Sequence, residues 1–175
     1  MTILIIILII VALIFIIPLF TKNEYTVQRE IIINQPKITV FNYIKYLKNQ
    51  DNYSVWAKID PNMKKKYTGT DGTLGFIAAW DSNNKKAGKG EQTIKKVIEN
   101  ESVDSTIHFI KPFEGLADAN MTTTDIGENK TKLTWGFHSK MKYPMNMMLL
   151  FMNMDKMIGN DLANGLSNLK ALLEN

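Results

Sequence analysis

From Ile3 to Phe20 the chain reads ILIIILIIVALIFIIPLF, without one charged or polar side chain. As a helix this run is roughly 27 Å long, close to the hydrocarbon thickness of a bilayer. A helix apolar on every side has no face to turn toward water, which argues against a core helix of a globular domain. A cleaved signal peptide fits poorly too: the run exceeds the usual apolar region, no Lys or Arg precedes it, and PLFTKNE offers no small-x-small cleavage site. Pro18 falls in the last turn, where the carbonyl it frees can find water or headgroups. Residues 3–20 therefore read as a single membrane pass, with 1–24 as anchor and juxtamembrane linker and 25–175 as a separate domain. Lys22, Arg29 and Lys37 follow the span and nothing basic precedes it, so the positive-inside bias places the domain in the cytoplasm.

Composition narrows what that domain does. There is no cysteine, which removes disulfide frameworks, thiolate zinc sites, iron–sulfur clusters and a Cys nucleophile together. Two histidines, His108 and His138, are little material for a metal site, and no metal or cofactor is expected. The net charge is +4, and Arg29 is the lone arginine. Without arginine forks for bases or phosphates, nucleic acid is not an expected partner. An anionic membrane surface suits the lysine excess better.

From Tyr25 the pattern changes. YTVQREIIIN (25–34) alternates and ends in β-branched residues, as a strand does. Pro36 opens a helix with Val40, Phe41, Ile44 and Leu47 at helical spacing, and a second short helix reaches about Val55. Six strand-length segments follow: Lys64 to Thr70, Leu74 to Asp81, Glu91 to Glu99, Val103 to Lys111, Leu116 to Ile126 and Lys132 to Met141. Turn residues such as Asp71–Gly72 and Ser82–Asn83–Asn84 separate them, so the strands should form an antiparallel meander. Pro144 is read as the start of a final helix of about thirty residues, on the order of 45 Å, with a stripe from Phe151 through Ile158, Leu162, Leu166 and Leu169 to Leu173. Gly159 and Gly165 within it predict close backbone approach or a bend. The fold class is α+β.

This order of elements resembles the helix-grip fold of the START/Bet v 1-like superfamily, and in particular its polyketide cyclase/dehydrase-like bacterial branch. IIINQPKITVFNYI (31–44) resembles the strand–Pro–helix opening of that superfamily and YSVWAKIDP (53–61) its Trp-containing second helix. GTDGTLGFIAAWDSNNKKAGKGEQTI (69–94) is similar to its glycine-rich hairpin. The resemblance spans residues 25–175 and implies a cavity for apolar ligands between the concave sheet and the long helix. It implies no particular reaction, because such folds host many functions.

Strand parity turns Phe76 and Trp80, Phe109, and Trp135 with Phe137 inward, where aromatics either fill a core or line a cavity. The resemblance adds Trp56 and Phe113 near a cavity mouth. Seven of the ten methionines crowd between Met141 and Met157. Flexible thioethers there, Met148 and Met152 among them, suit an adaptable apolar wall. The same parity turns His108, His138 and Asp118 outward, so no catalytic residue is assigned. The expected function is binding of an apolar small molecule or lipid. An enzyme of the cyclase or hydratase kind would need a titratable group in the cavity, such as Glu91 or Tyr67. A protein-interaction module would instead have its cavity filled by side chains.

Overall fold

The computed structural model describes residues 1–175 apart from the side chains of Ile9 and Ile10. The apolar run forms helix α1 (Thr2–Ile16) and a 3-10 turn (Ile17–Phe20), the one helix among the described residues long and apolar enough to cross a membrane. Strand β1 (Glu24–Ile33) begins three residues after Thr21. Helix α2 (Lys37–Ile44) and two single-turn helices, α3 (Gln50–Tyr53) and α4 (Val55–Lys58), carry the chain to the meander. Its strands are β2 (Lys64–Thr68), β3 (Ile77–Asp81), β4 (Lys89–Ile98), β5 (Ser102–Lys111), β6 (Gly115–Asp125) and β7 (Thr131–Lys140). Helix α5 (Met154–Glu174) closes the domain.

All pairings are antiparallel, in the order β1-β7-β6-β5-β4-β3-β2, so the meander runs back to place β7 beside β1. Register shifts in β4 near Gly90 and between Ile94 and Lys96 curl the sheet. Its concave face holds Leu133 and Trp135, against which Leu162, Leu166 and Leu169 of α5 and Val40 and Ile44 of α2 are buried. A second cluster of Phe41, Leu47, Phe76, Ile94 and Val103 closes the far end of β3–β5. Seven antiparallel strands gripping one long helix make the helix-grip fold that the order of elements predicts.

Two expectations are corrected. Helix α5 has 21 residues, not about thirty, and starts at Met154 rather than at Pro144. Asn153 sets that start: with φ −83° and ψ 89° it lies outside the helix, and its Oδ1 accepts the Lys156 N–H at 2.8 Å, an N-cap. The preceding Met145–Leu150 forms a 3-10 turn that leans on the end of the apolar N-terminal run. There Asn146 Nδ2 donates to the carbonyls of Pro18 (2.8 Å) and Thr21 (3.1 Å), and the Tyr143 hydroxyl donates to that of Phe15 (3.0 Å). Strand β3 likewise starts at Ile77, not Leu74, because residues 70–76 turn around Asp71, whose carboxylate accepts from the backbone N–H groups of Leu47, Lys48 and Gly72.

Candidate functional site: a cavity under the sheet

Between the concave sheet, α4 and the first turns of α5 lies a cavity of about 210 Å3. Its floor follows from residue size along the strands. Large side chains come from β3 (Trp80), β5 (Ile107, Phe109) and β7 (Trp135, Phe137), while the strands between them present small ones, Gly90 on β4 and Ala117 and Ala119 on β6. Cross-strand pairing puts Gly90 between Trp80 and Phe109, where an added Cβ would come within 2.6 Å of the indole and of the His108 carbonyl. A glycine there lets the indole lie across β4. Its Nε1–H donates to the Ala87 carbonyl at 2.9 Å, so its one polar atom is satisfied. Trp80 and Phe109 meet edge to face at 6.4 Å, and Phe109 and Phe137 follow at 6.5 Å.

Helices supply the roof. Trp56 of α4 stands perpendicular to Trp135 at 6.2 Å, and Ile158 and Leu162 of α5 complete the apolar wall. Gly165 permits α5 to sit this close, since a Cβ would come within 2.9 Å of the Trp135 ring. Gly159 does the same over Arg29, whose guanidinium forks onto Asp155 with two bonds of 2.9 Å and reaches the Asp155 carbonyl at 3.0 Å. That pair holds the Asp155 carboxyl below its ordinary range and ties the first turn of α5 to β1.

One side of the cavity is polar. The Tyr67 hydroxyl of β2 donates to Asp51 Oδ2 of α3 at 2.5 Å, and Lys65 Nζ contacts Asp51 Oδ1 at 2.8 Å. Burial first, and then the bond to the Asp51 carboxylate, push the Tyr67 phenol well above its ordinary range. Lys48 Nζ lies 5.0 Å from the centre of the Tyr67 ring. Gln92, also in the wall, donates to Ser105 Oγ at 2.8 Å. The result is an apolar chamber with one hydrogen-bonding edge, the usual build of a small-molecule site.

Of the residues singled out from sequence, the structure brings Trp56, Trp80, Phe109, Trp135 and Phe137 together in the cavity wall. Phe76 stands outside it, buried in the far cluster and stacked on Tyr67 at 6.1 Å. Phe113 is exposed on the β5–β6 loop, and Met148 and Met152 belong to the segment that turns toward residues 15–21 rather than to α5. Their helical placement rested on the early start at Pro144. Glu91 faces away from the cavity, within 3.9 Å of His108 on the convex side. Sequence reasoning passed over Asp51, Lys65 and Ala119; for the last, the alternation of bulky strands with glycine and alanine was the available signal. Among the described residues no group of three metal-ligating side chains occurs.

The helix-grip fold of this chain is similar to that of several solved structures. Norcoclaurine synthase from Thalictrum flavum, in a structure with dopamine and hydroxybenzaldehyde, superimposes with a TM-score of 0.63 at 10% identity, covering 90% of this chain and 91% of that one. A protein from Chromobacterium violaceum gives 0.60 at 12% identity (86% and 97% covered), and Ara h 8.0201 gives 0.56 at 13% (86% and 95%). No family model matches the chain, and no curated protein matches it.

Proposed function

We propose that this protein is a membrane-anchored helix-grip domain that binds a small, mostly apolar molecule carrying one polar group. The observation that carries the reading is the chamber itself: about 210 Å3 of space with an aromatic floor and a polar edge at Asp51, Lys65 and Tyr67. Space of this size is not left by a filled core, which weighs against an interaction module. A dry cavity of about 150 Å3 takes one benzene ring. The ligand is therefore of one or two fused rings or a short chain, and a two-chain lipid is too large to be enclosed. Asp51 and Lys65 neutralise each other, so a neutral hydroxyl or carbonyl suits this edge better than a full charge. The Thalictrum enzyme, with its small aromatic ligands, supports the size argument by likeness of fold only.

All three tryptophans of the chain line the cavity, so intrinsic fluorescence reads its occupancy. Bromobenzene and 4-bromophenol, both heavy-atom quenchers, are expected to quench it saturably, the phenol at lower concentration. Ala119→Leu, which fills the floor, is expected to weaken both at least about tenfold while shifting stability by less than about 1.5 kcal/mol. Quenching that is linear and identical in the variant would end the binding reading.

One observation favours a second reading, an enzyme acting in the same cavity: Tyr67, a phenol held protonated beside a carboxylate. With its pKa raised, such a group is neither a base nor a strong acid at neutral pH, so its part under this reading is to position a substrate oxygen by hydrogen bonding. Under that reading Tyr67→Phe removes turnover of a bound substrate without removing its binding; under the first reading it changes affinity alone.

A further inference from the structure

The strand register sorts every connection to one end of the sheet or the other. The starts of β1, β4 and β6 and the ends of β3, β5 and β7 share one end with the exit of the anchor, because Glu24 pairs with Lys140, Ala117 with Ser139, Lys89 with Lys111 and Asp81 with Lys89. The cavity is built at this end as well. Its wall includes Met63 and Lys65 at the start of β2, Lys86 and Ala87 of the β3–β4 loop, and Ile158 near the start of α5.

This end exposes large apolar side chains that the fold does not use. Phe113 on the β5–β6 loop is 71% exposed and Phe151 before α5 is 77% exposed, with Leu116 and Leu150 beside them in the chain. They are continuous with the anchor. Asn146, five residues before Phe151, holds the Pro18 and Thr21 carbonyls, and the intervening Leu19 and Phe20 are exposed in turn, Phe20 at 87%. The turns and strand ends here also carry Lys22, Lys64, Lys85, Lys86, Lys111 and Lys142, none of them in a salt bridge among the described residues, while of the carboxylates at this end Glu24 and Asp81 are paired with Lys140 and Lys89 and Glu114 faces His108. The opposite end differs in sign. Its turns carry Asp71, Glu99, Glu101, Asp125 and Glu128, with Lys45 and Lys130 engaged by Glu99 and Glu128.

We infer that the anchor-proximal end of the domain is a docking face for an anionic bilayer, with Phe113, Leu116, Leu150 and Phe151 entering the headgroup region alongside the lysines of this end. Aromatic and leucine side chains flanked by lysine are the composition that binds a membrane interface, and α1 holds them at its exit point. The cavity, whose wall includes residues of this same end, then lies on the membrane side of the domain. The inference rests on the anchored reading of α1 and adds the orientation of the domain to it.

The absence of cysteine makes the test direct, because a single introduced thiol carries the only label. The full chain, reconstituted in phosphatidylcholine–phosphatidylglycerol vesicles, is labelled with an environment-sensitive fluorophore at Leu8→Cys, Phe113→Cys, Phe151→Cys or Leu74→Cys, and nitroxide-bearing lipid is added as quencher. Leu74 is the control, 72% exposed at the opposite end. Quenching at 8, 113 and 151 with none at 74 is the expected result, and replacing phosphatidylglycerol by phosphatidylcholine should reduce it at 113 and 151 but not at 8. Quenching at 8 with 113 and 151 behaving like 74 overturns the docking face and leaves the anchor standing. Quenching at 74 equal to that at 113 also overturns it, since the domain then lies on lipid without a preferred face. No quenching at 8 overturns the anchored reading, and this inference with it.

Discussion

The two ends of the space beneath the sheet are built from the same kinds of side chain and finished differently. At the far end Phe41 and Phe76 are fully buried with Leu47, Ile94 and Val103, and α2 closes over them. At the end nearer α1 Trp80, Phe109, Trp135 and Phe137 are of the same kind, yet they border empty space. The cover differs. The far end has α2 packed on it, whereas the other end is roofed by Trp56 of α4 and by α5 only from Met154 on, the preceding segment being held to the end of the apolar run by Asn146 and Tyr143. Aromatic content alone does not distinguish a core from a binding site.

Paired truncations break or sharpen this contrast most strongly. Phe76→Ala in the closed end should cost about 3–5 kcal/mol, the usual range for a fully packed Phe, because it opens a new void. Phe109→Ala should cost less than about 3 kcal/mol, since its ring already borders space and loses fewer contacts. Equal losses in urea unfolding would mean that the chamber is packed in solution. Next in size, Gly90→Ala should destabilise by about 1–3 kcal/mol, because the new methyl meets a backbone carbonyl as well as the indole. Displacement of Trp80 should also shift the tryptophan emission, which an overpacked residue in the closed end would leave unchanged.

Alkaline pH tests the core and the cavity edge through tyrosine. Burial pushes the phenol of Tyr53, packed edge to face on Trp135, above its ordinary range, and burial plus Asp51 does the same to Tyr67 at the cavity edge. The native state therefore keeps protons that the unfolded chain releases near pH 10. Stability from these groups is complete below about pH 10 and falls as pH rises beyond it. Absorbance at the phenolate band should show three tyrosines, Tyr25, Tyr53 and Tyr67, ionising late, and Tyr67→Phe should remove one of the three. The smallest effect belongs to Arg29→Lys. A lysine cannot form the fork onto Asp155, yet water reaches the pair, so the loss should be the smallest of the series and shrink in salt.

The sequence alone determined the apolar segment, the strand count, the antiparallel meander and a closing helix, because each is written in local periodicity and turn residues. Inward parity of Trp80, Phe109, Trp135 and Phe137 was legible for the same reason, since side chains alternate along any strand. It could not say that Trp80 borders space while Phe76, four residues earlier on the same parity, is packed solid. Likewise the start of α5 depends on whether Pro144 opens it as the first helical residue or Asn153 caps it, and both are acceptable starts in isolation. Asn146 finding the Pro18 and Thr21 carbonyls, more than a hundred residues away, is a contact that only the folded chain offers. The polar edge at Asp51, Lys65 and Tyr67 is likewise tertiary, because α3 and β2 meet only once the sheet has curled around α5. Periodicity fixes which residues face inward; the void between them is set by how distant segments compete to cover it.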